Sequence, residues 1–195
     1  YRNLQRNTRF VHRCISTQGP KNNYSIQQVS THQQPHIKPH KFKIMEIGSR
    51  IPDMLGIDQN GNEVKLSDYP GRSIALYFYP KDSTSGCTAQ ACNLRDNYQA
   101  LIDAGYQVIG VSVDSADSHK KFIAKNSLPF PLITDSDHKL VNEFGVWGEK
   151  SMYGRKYMGT FRTTFIISPE GTVTRIISPK EVKTKNHAEQ ILNAR

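Results

Sequence analysis

The sequence predicts a mixed α/β layer fold, with a central β-sheet and helices on both faces. Three observations carry this. Two continuous apolar runs, 74–79 (Ile-Ala-Leu-Tyr-Phe-Tyr) and 106–113 (Tyr-Gln-Val-Ile-Gly-Val-Ser-Val), read as strands buried on both faces. Each is followed by a segment with helical signals. Turn residues near both ends of the body, Asn60-Gly61 and Pro169-Glu170-Gly171, mark hairpins.

The elements follow in order. Leu55 to Leu66 is an N-terminal β-hairpin around Asn60-Gly61, and Ser67 to Gly71 is a turn. After the strand at 74–79, a helix is expected from Gly86 to about Asp103. Leu94, Tyr98, Leu101 and Ile102 mark its core face, and Gly105 ends it. After the strand at 106–113, Ser115 caps a helix reaching Asn126. Residues 128–133 enter a short strand. A helix then starts at Asp135 or Ser136, runs through Val141 and Phe144, and ends at Gly145. Residues 163–168 and 172–178 form the second hairpin, and a last helix covers roughly 186–193.

Charge divides the chain unevenly. Residues 1–44 hold eight basic residues and no Asp or Glu. Removing those eight from the 26 Lys and Arg leaves 18 against 17 acids, so a formal charge of +9 falls to +1. The basic character belongs to this leader and gives no ground for nucleic-acid binding by the body. The leader is polar and aperiodic, and is expected to be disordered. Three readings of it compete: an organelle transit peptide, a disordered basic arm, or upstream sequence outside the natural protein, with Met45 as the start. The Met45 reading is favoured, because Met45 to Asp53 reads as a domain opening. The expected division is therefore 1–44, leader, and 45–195, one domain with a real core. No stretch approaches the ~20 apolar residues of a membrane span.

Cys87 is the focus of the chemistry. It follows the apolar run 74–79 and lies in Pro80-Lys-Asp-Ser-Thr84-Ser-Gly-Cys87, where a strand hands over to a helix. A thiol there meets unpaired backbone N–H groups and the positive end of the helix dipole, and both favour the reactive thiolate. Cys92 follows five residues later. Two cysteines at one junction are no extracellular disulfide framework, so the pair reads as redox chemistry in a reducing compartment. Cys14 lies in the leader, outside this scheme.

The segment Pro80-x-x-x-Thr84-x-x-Cys87 resembles the active-site signature of the peroxiredoxins. The Gly86-Cys87-Thr88 flank, with Cys92 at plus five, is similar to the PrxQ subfamily, also called bacterioferritin comigratory protein. Residues 78–82, 146–150, 152–158 and 161–165 resemble that subfamily's segments in the same order, so the likeness spans about 45–194. One departure is Ser85, where the family usually has Pro. Proline at a helix start helps without being obligatory.

The resemblance implies a thioredoxin-like fold and a thiol peroxidase acting on hydrogen peroxide and organic hydroperoxides. It implies that Cys87 attacks the O–O bond and becomes a sulfenic acid. Thr84 would hold the peroxide oxygen, and Pro80 would wall the pocket. Arg162 would reach across to Cys87 and stabilise the moving charge. Cys92 would resolve the sulfenic acid to a disulfide, reduced in turn by thioredoxin or a similar dithiol protein. Cα atoms five apart on an α-helix are roughly 8.5 Å apart. A disulfide needs them within about 7 Å. The helix must therefore unwind locally during turnover, between Gly86 and about Leu94.

Plainer readings stand beside these. Both cysteines could be small buried hydrophobes, Thr84 only an N-cap, and Arg162 a surface strand residue. Trp147 and Tyr153 read as packing or pocket-rim residues. His119 and His138 are expected to be solvated. His32, His36 and His40 lie in the leader without a partner cluster, so no metal is called for, and no other cofactor either. Rival functions are weaker. A disulfide reductase of thioredoxin type would space its cysteines C-x-x-C, and here the spacing is C-x4-C. A basic-arm binder of nucleic acid or membrane rests on the leader alone, and nothing specifies a ring-forming chaperone assembly. The expected setting is a monomer in the cytoplasm, or in an organelle if residues 1–44 are a transit peptide.

Overall fold

The computed structural model describes residues 45–152 and 154–194. The expectations for residues 1–44 and for Tyr153 lie outside the described residues. Nine strands and five α-helices are described: β1 (Met54–Ile57), β2 (Glu63–Lys65), β3 (Ser73–Phe78), α1 (Ser85–Asp96), α2 (Tyr98–Asp103), β4 (Tyr106–Ser112), α3 (Ala116–Asn126), β5 (Leu132–Thr134), α4 (Lys139–Glu143), β6 (Trp147–Met152), β7 (Arg155–Thr160), β8 (Thr163–Ile167), β9 (Val173–Ile177) and α5 (His187–Leu192).

Five strands form the central sheet in the order β5-β4-β3-β8-β9. β3, β4 and β5 run parallel to one another, while β8 is antiparallel to β3 and to β9. Alternation along β3 divides its side chains between two cores. Ala75 and Tyr77 join a cluster with Cys87, Ala91 and Leu94 of α1, Leu101 of α2, Phe122 of α3, and Ala188 and Ile191 of α5. Ile74, Leu76 and Phe78 face the other way, onto Leu140 and Val141 of α4, Phe144, and Leu55 and Val64 of the β1–β2 hairpin. Helices thus cover both faces, unevenly: four on one side, α4 and a hairpin on the other.

Four local results differ from the sequence reading. The helix expected over 86–103 is two helices, broken at Asn97. The Asn97 amide donates to the Asn93 carbonyl, competing for the acceptor that continued helix would use. The strand after Leu128 starts only at Leu132, because Pro129 and Pro131 offer no N–H to a ladder. The helix expected from Asp135 begins at Lys139. Asp135 instead reaches ahead, its carboxylate accepting from Leu140 N at 2.9 Å and Val141 N at 2.8 Å. The β6–β7 hairpin has no counterpart among the expected elements. Its polar, glycine-containing stretch has no alternating apolar pattern, and residues 155–158 stand exposed. Ser115 does cap α3, accepting from Ser118 N, and such caps contribute about 1 kcal/mol. Among the described residues, no helix is long and apolar enough to cross a membrane.

Candidate active site

The site forms where β3 ends and α1 begins. Thr84 is the N-cap residue of α1, with extended backbone (φ −80°, ψ 152°), and its carbonyl accepts from Thr88 N at 2.8 Å. Cys87 therefore lies in the first turn, where N–H groups lack intrahelical partners. Its side chain is buried, at 2 % exposure.

Sheet register delivers the counter-charge. β3 pairs with β8 so that Phe78 faces Thr163. The residue before Thr163 is Arg162, which is thereby carried to the β3–α1 junction. Arg162 Nη2 donates to Cys87 Sγ at 3.2 Å. Its Nη1 donates to Oε1 of Gln90, a fully buried side chain one turn beyond Cys87 on α1. The guanidinium fork thus bridges two groups on one helix face. Gly86 lies beside the guanidinium: a Cβ there would sit 3.4 Å from Arg162 Nη2, an ordinary contact.

A buried polar network supports the 80–84 loop. Asp82 accepts from Tyr79 Oη at 2.8 Å, Ser118 Oγ at 2.7 Å and His119 Nδ1 at 2.9 Å. Asp82 N donates to Asp114 Oδ2 at 2.8 Å. Burial pushes the Asp82 carboxyl up, but the bonds from His119, Ser118 and Tyr79 and the charge of His119 outweigh it, leaving it below the usual carboxylate range. His119 was expected to be solvated. It is fully buried, because Asp82 gives the imidazole a partner inside the core. His138, also expected to be solvated, is half-buried with its ring edge against Trp147, centroids 4.4 Å apart.

Three more groups lie in the field of the guanidinium, and two of them, Tyr77 and Lys150, in that of the sulfur as well. The Tyr77 phenol is fully buried with no hydrogen-bond partner among the described residues; burial, with Cys87 adding to it, pushes its pKa well up. Lys150 donates to Thr160 O at 3.0 Å; burial and then Arg162 lower its pKa, while Cys87 acts against them. His187 of α5 is buried beside Thr164, with Nε2 2.8 Å from Thr164 Oγ1, and its pKa falls to about 4, chiefly through burial and further through Arg162. The neutral ring fits its partners: Nδ1–H can donate to Gln190 Oε1 at 3.2 Å while Nε2 accepts from Thr164.

The remaining sequence candidates sit around this centre. Thr84 is exposed, and its hydroxyl donates to Lys81 O at 3.1 Å instead of capping α1. Pro80 is half-buried at the end of β3. Cys92 is half-buried on α1, and its thiol faces Asn126 Oδ1 at 3.8 Å. The structure therefore joins Cys87 directly to Arg162, places Pro80 and Thr84 on the entering loop, and turns Cys92 toward α3. Gln90, Lys150, Asp82, His119, Tyr77 and His187 escaped the sequence reading. Gln90 alone carried a usable signal, its i+3 spacing from Cys87. Among the described residues, no group of three or more His, Cys, Asp or Glu side chains is placed to hold a metal ion.

Chemically, a fixed cation in contact with a buried sulfur can stabilise negative charge as it moves off that sulfur. The chain is similar to several known proteins. The AhpC/TSA family profile matches residues 47–176. "Peroxiredoxin Bcp" of Bacillus subtilis (strain 168) is 46% identical over 149 residues, covering 76% of this chain and 93% of the relative. The structure of Xanthomonas campestris peroxiredoxin Q superposes with a TM-score of 0.68 at 37% identity, covering 77% of this chain and 94% of that one. A second structure, of the Xanthomonas campestris bacterioferritin comigratory protein, concerns alkyl peroxide reduction by that protein. It superposes with a TM-score of 0.68 at 36% identity, covering 77% of this chain and 95% of that one.

Proposed function

The chain belongs to the AhpC/TSA family, as a peroxiredoxin with the thioredoxin-like fold, and from that premise we propose that Cys87 is the sulfur that reduces its hydroperoxide. The observation that carries the assignment is the 3.2 Å hydrogen bond from Arg162 Nη2 to Cys87 Sγ.

The Cys87 thiolate attacks the outer oxygen of the O–O bond. An S–O bond forms, the O–O bond breaks, and the leaving alkoxide or hydroxide takes up a proton to depart as alcohol or water. Arg162, already fixed by Gln90, offsets the negative charge as it passes from sulfur to oxygen. Pro80 walls the approach, and Thr84, released from Lys81, turns its hydroxyl to the peroxide. The sulfenic acid on Cys87 then meets Cys92: an S–S bond forms, the S–O bond breaks and water leaves. A thioredoxin-type dithiol closes the cycle. Alkyl hydroperoxides are proposed here beside hydrogen peroxide, in keeping with the alkyl peroxide reduction activity of the Xanthomonas relative.

The proposal extends to the setting. Residues 45–195 are taken as the catalytic domain and 1–44 as a leader outside it. The enzyme works as a cytoplasmic monomer, without nucleic acid or membrane. Support comes from the paired thiols at one strand–helix junction and from a body whose formal charge is +1 once the leader's eight basic residues are set aside.

The test is intact mass with thiol labelling, before and after one equivalent of hydrogen peroxide. Wild type should lose both body thiols, and Cys92→Ser should hold a trappable sulfenic acid on Cys87. Both body thiols left free would end the assignment.

A further inference from the structure

Cys92 does not face Cys87 across α1. Positions five apart on a helix point about 140° apart around its axis. The Cys92 thiol donates to Asn126 Oδ1 of α3 at 3.8 Å, on the side away from Cys87. The resolving step therefore has to turn residue 92 as well as residue 87. The residue bonded directly to Cys92, and displaced when it turns, is Asn93.

Asn93 ties α1 to the C-terminal segment. Its Nδ2 donates to Lys185 O at 2.8 Å, and its Oδ1 accepts from Ala188 N at 2.8 Å. These partners lie 92 and 95 positions further along the chain. Ala188 is the second residue of α5, so its N–H is a helix-end donor without an intrahelical partner. Asn186, the residue before α5, makes no side-chain cap, and its amide donates to Glu189 Oε2 instead. Asn93 thus caps α5 from another helix. The two helices also share one apolar cluster, with Ala91 and Leu94 from α1 and Ala188 and Ile191 from α5.

We propose that Asn93 is a positioning residue of the catalytic cycle: by capping α5 it holds α1 wound, with Cys87 against Arg162, and it has to let go before Cys92 reaches the Cys87 sulfenic acid. The inference rests on the reading of Cys87 and Cys92 given above. When they meet, the S–S bond forms and the S–O bond breaks. The departing hydroxyl leaves as water with the proton of the Cys92 thiol, so no outside reagent enters. Asn93 acts on the two steps unequally. It preserves the fold that meets peroxide, and it opposes the unwinding that follows. Disulfide formation takes the acceptor away from Ala188 N–H, so the redox state of α1 is passed to the start of α5.

Rapid-quench mass spectrometry after one equivalent of hydrogen peroxide separates loss of the Cys87 thiol from growth of the Cys87–Cys92 disulfide. The comparison is wild type against Asn93→Val, which removes both polar groups at nearly the same helix propensity. Disulfide growth should quicken about tenfold, because two hydrogen bonds no longer oppose unwinding. Loss of the Cys87 thiol should stay at the wild-type rate, since the wound form still dominates. Disulfide growth that is unchanged or slower overturns the inference. Slowing of both steps together also overturns it, and would make Asn93 a general strut between α1 and α5. A second measurement needs no variant: amide exchange at Ala188 in wild type should quicken at least about tenfold between the reduced and disulfide forms. Equal exchange in the two forms overturns the inference by showing that α1 unwinds only ahead of Asn93. Wild type that forms no Cys87–Cys92 disulfide would instead overturn the assignment of Cys92, and the role of Asn93 with it.

Discussion

Arg162 Nη2 lies 3.2 Å from Cys87 Sγ although the two residues are 75 positions apart. The contact is built by sheet register. Phe78 pairs with Thr163, so the last residue before β8 lands where β3 gives way to α1. Removing the cation while keeping bulk isolates its contribution. Arg162→Met should lower the second-order rate with hydrogen peroxide by about 10²–10³, the usual cost of losing one preorganised charge donor. Stopped-flow competition with a reference peroxidase reads this directly. A loss under threefold would show that the sulfur does not depend on Arg162.

The Asp82–His119 pair holds the loop that carries Pro80 and Thr84. Both side chains are almost entirely buried, 2.9 Å apart. Removing one partner strands the other in the core. Asp82→Asn is expected to cost about 3 kcal/mol of unfolding free energy, read by urea denaturation. A cost below 1 kcal/mol would mean the pair contributes nothing net.

The legible part of this protein was its hydrophobic pattern and its cysteine context. Ile74 to Tyr79 reads as a buried strand because its side chains fill cores on both faces of the sheet, and Asn60-Gly61 and Pro169-Glu-Gly171 name their turns locally. Cys87 is legible because Pro80, Thr84 and Gly86 surround it in sequence. What stayed hidden depends on distant partners. His119 looks like a polar helix residue until the fold brings Asp82 beside it. Lys150 and the β6–β7 hairpin have no apolar alternation, since most of that hairpin faces water. Asp135 reads as a helix start because the sequence cannot show that its carboxylate caps residues five and six positions ahead.

His187 ties stability to pH. Its folded pKa of about 4 lies below the unfolded 6.5, so between those values the unfolded chain binds more protons. Its contribution is therefore complete above pH 6.5 and is lost as pH falls toward 4. The difference of 2.5 pH units corresponds to about 3 kcal/mol. Urea midpoints measured down this range should fall more steeply in wild type than in His187→Gln. Parallel curves would show that His187 is charged in the fold.

The reduced α1 runs unbroken through Cys87 and Cys92. Positions five apart on such a helix hold their Cα atoms about 8.5 Å apart, beyond the reach of a disulfide. Oxidation should therefore melt the stretch from 86 to about 94. Amide hydrogen exchange there should quicken by at least about tenfold in the oxidised form, with the β3 and β4 amides unchanged. Equal protection in both redox states would mean that Cys92 is not the partner of Cys87.

Peroxide consumption in a thioredoxin-coupled assay, comparing wild type, Cys87→Ser and Cys92→Ser, tests the central claim most directly. The account requires Cys87→Ser to consume no peroxide above the uncatalysed background. It requires Cys92→Ser to react once with peroxide and then stall in the coupled cycle. Peroxide turnover that persists in Cys87→Ser would place the chemistry elsewhere and contradict the account.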